Sequence, residues 1–67
     1  MSRKEIIRKR TEILNEMGSL YDILYSESWE RLCSEEEREL IKKQWRLLGD
    51  YQEILRLRIE LLEKEGA

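Results

Sequence analysis

Gln44, Tyr51 and Arg58 recur every seven residues in the second half of this 67-residue chain, and Arg10 holds a comparable place in the first half. An amide, a phenol and two guanidiniums on helix faces can grip an anion. The guanidinium fork matches phosphate or carboxylate oxygens, and a phenol or indole offers a flat stacking surface. With Arg8 and Trp45 added, the candidate ligand-binding set is Arg8, Arg10, Gln44, Trp45, Tyr51 and Arg58. The same pattern has a structural reading. Gln44 and Tyr51 would fix register through buried hydrogen bonds, Arg58 would pair with a glutamate of a neighbouring chain, and Trp45 would be an oligomer contact. Glu12, Glu60 or Glu63 would then neutralise the cations around Arg10 and Arg58.

Other chemistry finds little support. The chain has no histidine, a single cysteine and no glycine-rich phosphate loop, so the sequence predicts no catalytic residue, no metal site and no cofactor. Cys33, among Glu30, Glu35 and Glu36, reads as a small filler and not a nucleophile. Trp29 and Leu32 read as a plug over one end of the core, and Tyr25 as packing.

Charged residues make up 42% of the chain, and there is no proline, which is the profile of long amphipathic helices. The net charge of −2 hides an asymmetry: residues 1–10 hold Arg3, Lys4, Arg8, Lys9 and Arg10 against Glu5, while residues 27–39 hold six glutamates against Arg31 and Arg38. No overall basic surface results, which argues against duplex DNA as a partner. No apolar run approaches the ~20 residues of a membrane span, and no signal-peptide segment follows Met1, so the sequence predicts a cytoplasmic protein.

The elements that must position these residues follow from the apolar rows. Ser2-Arg3-Lys4-Glu5 and Ser34-Glu35-Glu36-Glu37 are capping boxes, each predicting a helix start. In the first helix Ile6, Ile13 and Leu20 form one row and Ile7, Leu14 and Tyr21 a second, with Met17 and Leu24 behind Arg10. In the second, Leu40, Leu47, Ile54 and Leu61 run beside Ile41, Leu48, Leu55 and Leu62. The expected fold is all-α: one domain over 1–67, an antiparallel helical hairpin with a helix at about 3–26, a turn region at 27–33 and a helix at about 35–64, stopped by Gly66. Gly18-Ser19 predicts a kink or a close helix contact. Antiparallel pairing places Leu24 near Ile41, Met17 near Leu48, and Arg10 near Leu55 and Arg58. The stripes are broader than one facing helix can cover, and a chain this short lacks disulfides, so a homo-oligomeric bundle, a dimer or larger, is expected.

The series Trp29-x-x-Leu32, then Glu37-x-Glu39-Leu40-Ile41-x-x-Gln44-x-x-x-Leu48-x-x-Tyr51-x-x-Ile54-Leu55-x-x-Arg58-Ile59, resembles a group of small helical-hairpin proteins of tailed phages. Their pattern reads E-x-x-L-L-x-x-Q-x-x-x-M-x-x-Y-x-x-I-L-x-x-R-I. The resemblance covers about residues 24–59. This sequence departs from it by Trp29 in place of phenylalanine, Leu48 in place of methionine, and one extra residue between Leu32 and Leu40. A fainter similarity is to the phage sponge proteins that sequester cyclic-nucleotide signals of CBASS defence, helical oligomers with ligands between protomers.

What the resemblance implies is a phage-encoded counter-defence protein in the host bacterial cytoplasm, holding a cyclic nucleotide between protomers without catalysis. The alternatives are an inhibitor that docks its apolar stripe or acidic turn on a bacterial host or defence enzyme, and an RNA-binding dimeric four-helix bundle that uses Arg3 to Arg10 on phosphates.

Overall fold

In the computed structural model, which describes residues 2–66, the chain folds as α1 (Arg3–Leu24), α2 (Trp29–Leu32) and α3 (Glu35–Gly66). Both expected helix starts are present. Ser2, in extended backbone, accepts the Glu5 N–H at 3.3 Å, and the Ser34 hydroxyl accepts the Glu37 N–H at 3.1 Å. Glu35, Glu36 and Glu37 place negative charge in the first turn of α3, where the helix dipole favours it.

α1 ends at Leu24, two residues before the expected limit. The Tyr25 N–H still bonds the Tyr21 carbonyl, but the Ser26 hydroxyl accepts the Ser28 N–H at 3.1 Å, a local bond that competes with helix continuation. α2 is a single turn, and extended Cys33 joins it to Ser34. α3 runs to Gly66, past its expected end near residue 64.

The long helices α1 and α3 pack together, with Ile6, Ile13 and Leu55 buried at their contact and Met17, Leu48, Ile59 and Leu62 around them. Cross-helix bonds confirm antiparallel register. Arg3 Nη2 donates to Glu63 at 2.6 Å, Arg10 Nε to Gln52 at 3.1 Å, and Arg38 Nη2 to the Leu24 carbonyl at 2.9 Å. The result is a rod of 50 × 16 × 15 Å, only two helices thick.

That thickness decides which rows are hidden. Facing α1, Leu55 is buried and Ile41, Leu48 and Leu62 are half-buried, while Leu40, Leu47, Ile54 and Leu61 remain 55–68% exposed. On α1, Ile6, Ile13 and Leu24 are buried, whereas Ile7, Leu14 and Tyr21 are 38–49% exposed. Trp29 is half-buried and Leu32 exposed, so Leu32 does not plug the core as expected; buried Cys33 lies in that segment instead.

The close helix contact expected at Gly18 lies elsewhere. α1 is continuous through Gly18-Ser19, where Ser19 Oγ donates to the Asn15 carbonyl, and a Cβ on Gly18 would meet nothing within 4 Å. A Cβ on Gly49 would stand 3.3 Å from Met17 Cε. Gly18→Ala therefore gains the helix propensity of alanine, about 0.5–1 kcal/mol, and raises Tm by about 2–8 °C. Gly49→Ala gains less, because the end of Met17 must shift. Equal gains in thermal melts would contradict the close approach at Gly49.

Surface charge adds a small pH dependence. Arg56 hydrogen-bonds Glu53 and Glu60, and Lys42 bonds Glu39 at 3.0 Å. These bonds hold the half-buried Glu53 and the exposed Glu39 carboxyls below their ordinary value of 4.5. Their contribution is complete above about 4.5 and fades as pH falls through the lowered values. Glu39→Gln with Glu53→Gln shallows the loss of stability between neutral pH and about pH 3, followed by melting at each pH; an unaltered profile counts against these pairs.

Candidate binding site at the closed end

Seven residues gather around a cavity of about 300 Å³ beside the turn: Tyr21, Leu24 and Tyr25 from the end of α1, and Arg38, Lys42, Trp45 and Arg46 from α3. Local helix geometry brings them there. Positions 38, 42, 45 and 46 are spaced by four, three and one, which places them along one side of α3, and 21, 24 and 25 share the last turn of α1 and its cap. Leu24 is buried, Trp45 and Lys42 are half-buried, and Tyr21 and Tyr25 are exposed with ring centroids 4.4 Å apart.

Arg38 connects the two helices at this end. One guanidinium nitrogen donates to the Leu24 carbonyl, and its Cζ lies 4.6 Å from the centroid of Trp29. α1 has no basic residue in its own last turn, so Arg38 supplies from α3 the cation that the carbonyl end of a helix favours. Arg38 Nε is buried and has no acceptor among the described residues. A buried donor without an acceptor costs about 1–3 kcal/mol.

The lining residues supply three aromatic rings and three cations and no carboxylate, although Lys42 also pairs with Glu39 at its margin. Cations beside flat rings can hold a phosphate and stack a planar group.

Of the candidate ligand-binding residues read from sequence, only Trp45 lines this cavity. Arg10 is half-buried and donates to Gln52, and Arg58 is exposed and makes no hydrogen bond or ion pair among the described residues. Gln44 donates weakly to Glu16 at 3.5 Å, and Tyr51 and Arg8 are exposed. The neutralising carboxylates of the structural reading do act on two of the cations expected around Arg10 and Arg58: Glu63 accepts from Arg3 and Glu60 from Arg56. The shallow hollow at the open end is lined by Arg3, Leu62, Glu63 and Gly66, and its cation is already paired.

The signal for the closed-end site was present in the spacing of Arg38, Lys42, Trp45 and Arg46. It was obscured because Arg38 sits in an acidic stretch and its partner lies across the turn. Arg38→Ala removes the bond to Leu24 and the contact with Trp29, and is expected to cost about 1–2 kcal/mol in denaturant unfolding. Arg38→Lys restores little, since an ammonium lacks the planar face; full rescue by lysine would refute this geometry. No family model, curated protein or solved structure matches the chain, so the closed end is characterised by its own geometry.

Proposed function

We propose that the protein acts by binding, without turnover, a small phosphate-bearing ligand with a planar ring, of the nucleotide class, in the closed-end cavity. The observation that carries this reading is the set of three rings and three cations around one cavity between α1 and α3. Arg46 and Lys42 meet the phosphate, and Trp45 with the Tyr21–Tyr25 pair meets the ring. The specific form suggested by the resemblance is a phage-encoded counter-defence protein that captures a cyclic oligonucleotide signal. A cyclic nucleotide combines both chemistries in one molecule.

The test is thermal melting with cyclic di- and trinucleotides, a linear nucleoside monophosphate and inorganic phosphate. A ligand that binds only the folded chain adds about 2.7 kcal/mol at a hundredfold excess over Kd, which raises Tm by about 10–20 °C in a chain of this size. Arg46→Ala and Trp45→Ala are expected to abolish the rise, and Arg58→Ala to leave it intact. No shift with any of these compounds removes the proposal. A shift lost on substitution of Arg10 or Arg58 instead moves the site to the open end and refutes the closed-end placement.

A further inference from the structure

The exposed side of α3 has the form of half a coiled coil. With Ile41, Leu48, Leu55 and Leu62 turned toward α1, the neighbouring positions are Leu40, Leu47, Ile54 and Leu61 interleaved with Gln44, Tyr51 and Arg58, alternating by four and three as a and d residues do. We propose that a second copy of this chain docks on that seam, α3 against α3 in antiparallel orientation, about a two-fold axis near Leu47 and Tyr51.

Three observations select this surface and this occupant. The first is exposure. Among the described residues five apolar side chains are buried and eleven large ones are exposed, and the four most regular of the exposed set lie on this row. The seam from Leu40 to Leu61 spans about 32 Å of helix, and a partner helix along it would cover roughly 800 Å² per copy, the size of a standard stable interface.

The second is the distribution of polar bonds between the two flanks of the hairpin. Arg10–Gln52 and Arg3–Glu63 bridge α1 and α3 on one flank, where the wheel also places Trp45, Arg56 and the closed-end cavity. The seam lies on the other flank, bridged only by the 3.5 Å Gln44–Glu16 contact among the described residues. A partner on the seam leaves the ion pairs and the cavity in place.

The third is charge, which fixes the orientation. Parallel pairing would set Arg58 against the partner's Arg58 inside the seam, a like-charge contact at a core position. Antiparallel pairing sets Leu47 beside the partner's Tyr51, and Arg58 beside the partner's Leu40 within one turn of the partner's Glu36 and Glu37. Arg58 has no partner among the described residues, while Glu60 and Glu63 already accept from Arg56 and Arg3 on the far flank. Opposed helix dipoles also favour this arrangement.

Sedimentation equilibrium and melting of the full chain over a range of concentration test the pairing. The parent sediments as a dimer at micromolar concentration, and its Tm rises with concentration. Leu47→Glu weakens association by more than about 100-fold, since a charge at the centre of the seam loses its water, whereas Leu14→Glu on the other exposed row leaves the mass unchanged. Folding of Leu47→Glu is read separately from its circular dichroism at high concentration. Orientation is read from spin labels at Lys64→Cys in a Cys33→Ser background: antiparallel copies hold them about 45 Å apart, parallel copies about 10 Å. A monomeric parent with a concentration-independent Tm, dissociation by Leu14→Glu but not Leu47→Glu, or the short label distance would each overturn the proposal. None of these readouts involves a ligand, so failure of the nucleotide reading is distinguishable from failure here.

Discussion

Two packed helices can hide about one row of side chains each, and the rest of this structure depends on that limit. The contact of Ile6 and Ile13 with Leu55, flanked by Met17, Leu48, Ile59 and Leu62, is the buried core of the hairpin. Both helices carry apolar stripes nearly twice that wide. A rod 15–16 Å thick has no third layer, so the second rows stay in water. Burying a leucine or isoleucine contributes about 1.5–3 kcal/mol, which is large against the few kcal/mol net stability of so short a chain. The unpaired rows therefore represent more potential stabilisation than the hairpin retains alone.

The closed end answers a different constraint. Reversing the chain requires α1 to stop, and a stopped helix leaves carbonyls that need donors or water. Tyr25 and Ser26 fold back to satisfy the last turn, and Arg38 reaches the Leu24 carbonyl from the opposite helix. That bond ties α3 to the end of α1, and Tyr21, Tyr25 and Trp45 stand beside it. The cavity lies among these side chains. Cations and rings thus gather there partly as a consequence of making the turn.

Much of this was legible from the sequence, and the failures have a common physical cause. Heptad periodicity located α1 and α3 and their register, because an antiparallel pair must align one repeating row with another. The capping serines were legible because Ser2 and Ser34 each precede glutamates by the required three residues. Row choice was less so: Ile6 and Ile7, or Leu40 and Ile41, are equally apolar neighbours, and only the handedness of the turn decides which faces inward. The same ambiguity bears on Arg10. Register put it beside Leu55, whose neighbours three residues before and after are Gln52 and Arg58 on opposite sides. The fold selects Gln52. Leu32 was read as a plug because it is apolar beside a turn, but a one-turn helix exposes most of its circumference.

The proposed ligand and the proposed second copy occupy opposite flanks of α3, yet they are coupled through the folding of the hairpin itself. Each binds only when α3 is helical and packed on α1, so each draws on the same small folding free energy. When the free hairpin is fully folded, neither affects the other. When part of the population is unfolded, a ligand that clamps the closed end raises the fraction able to present Leu40 to Leu61, and dimerisation tightens by the same factor as ligand affinity does on assembly. The size of that coupling reports the stability of the isolated hairpin. A stabilising Gly18→Ala background should shrink it, since alanine there adds helix propensity without touching either surface.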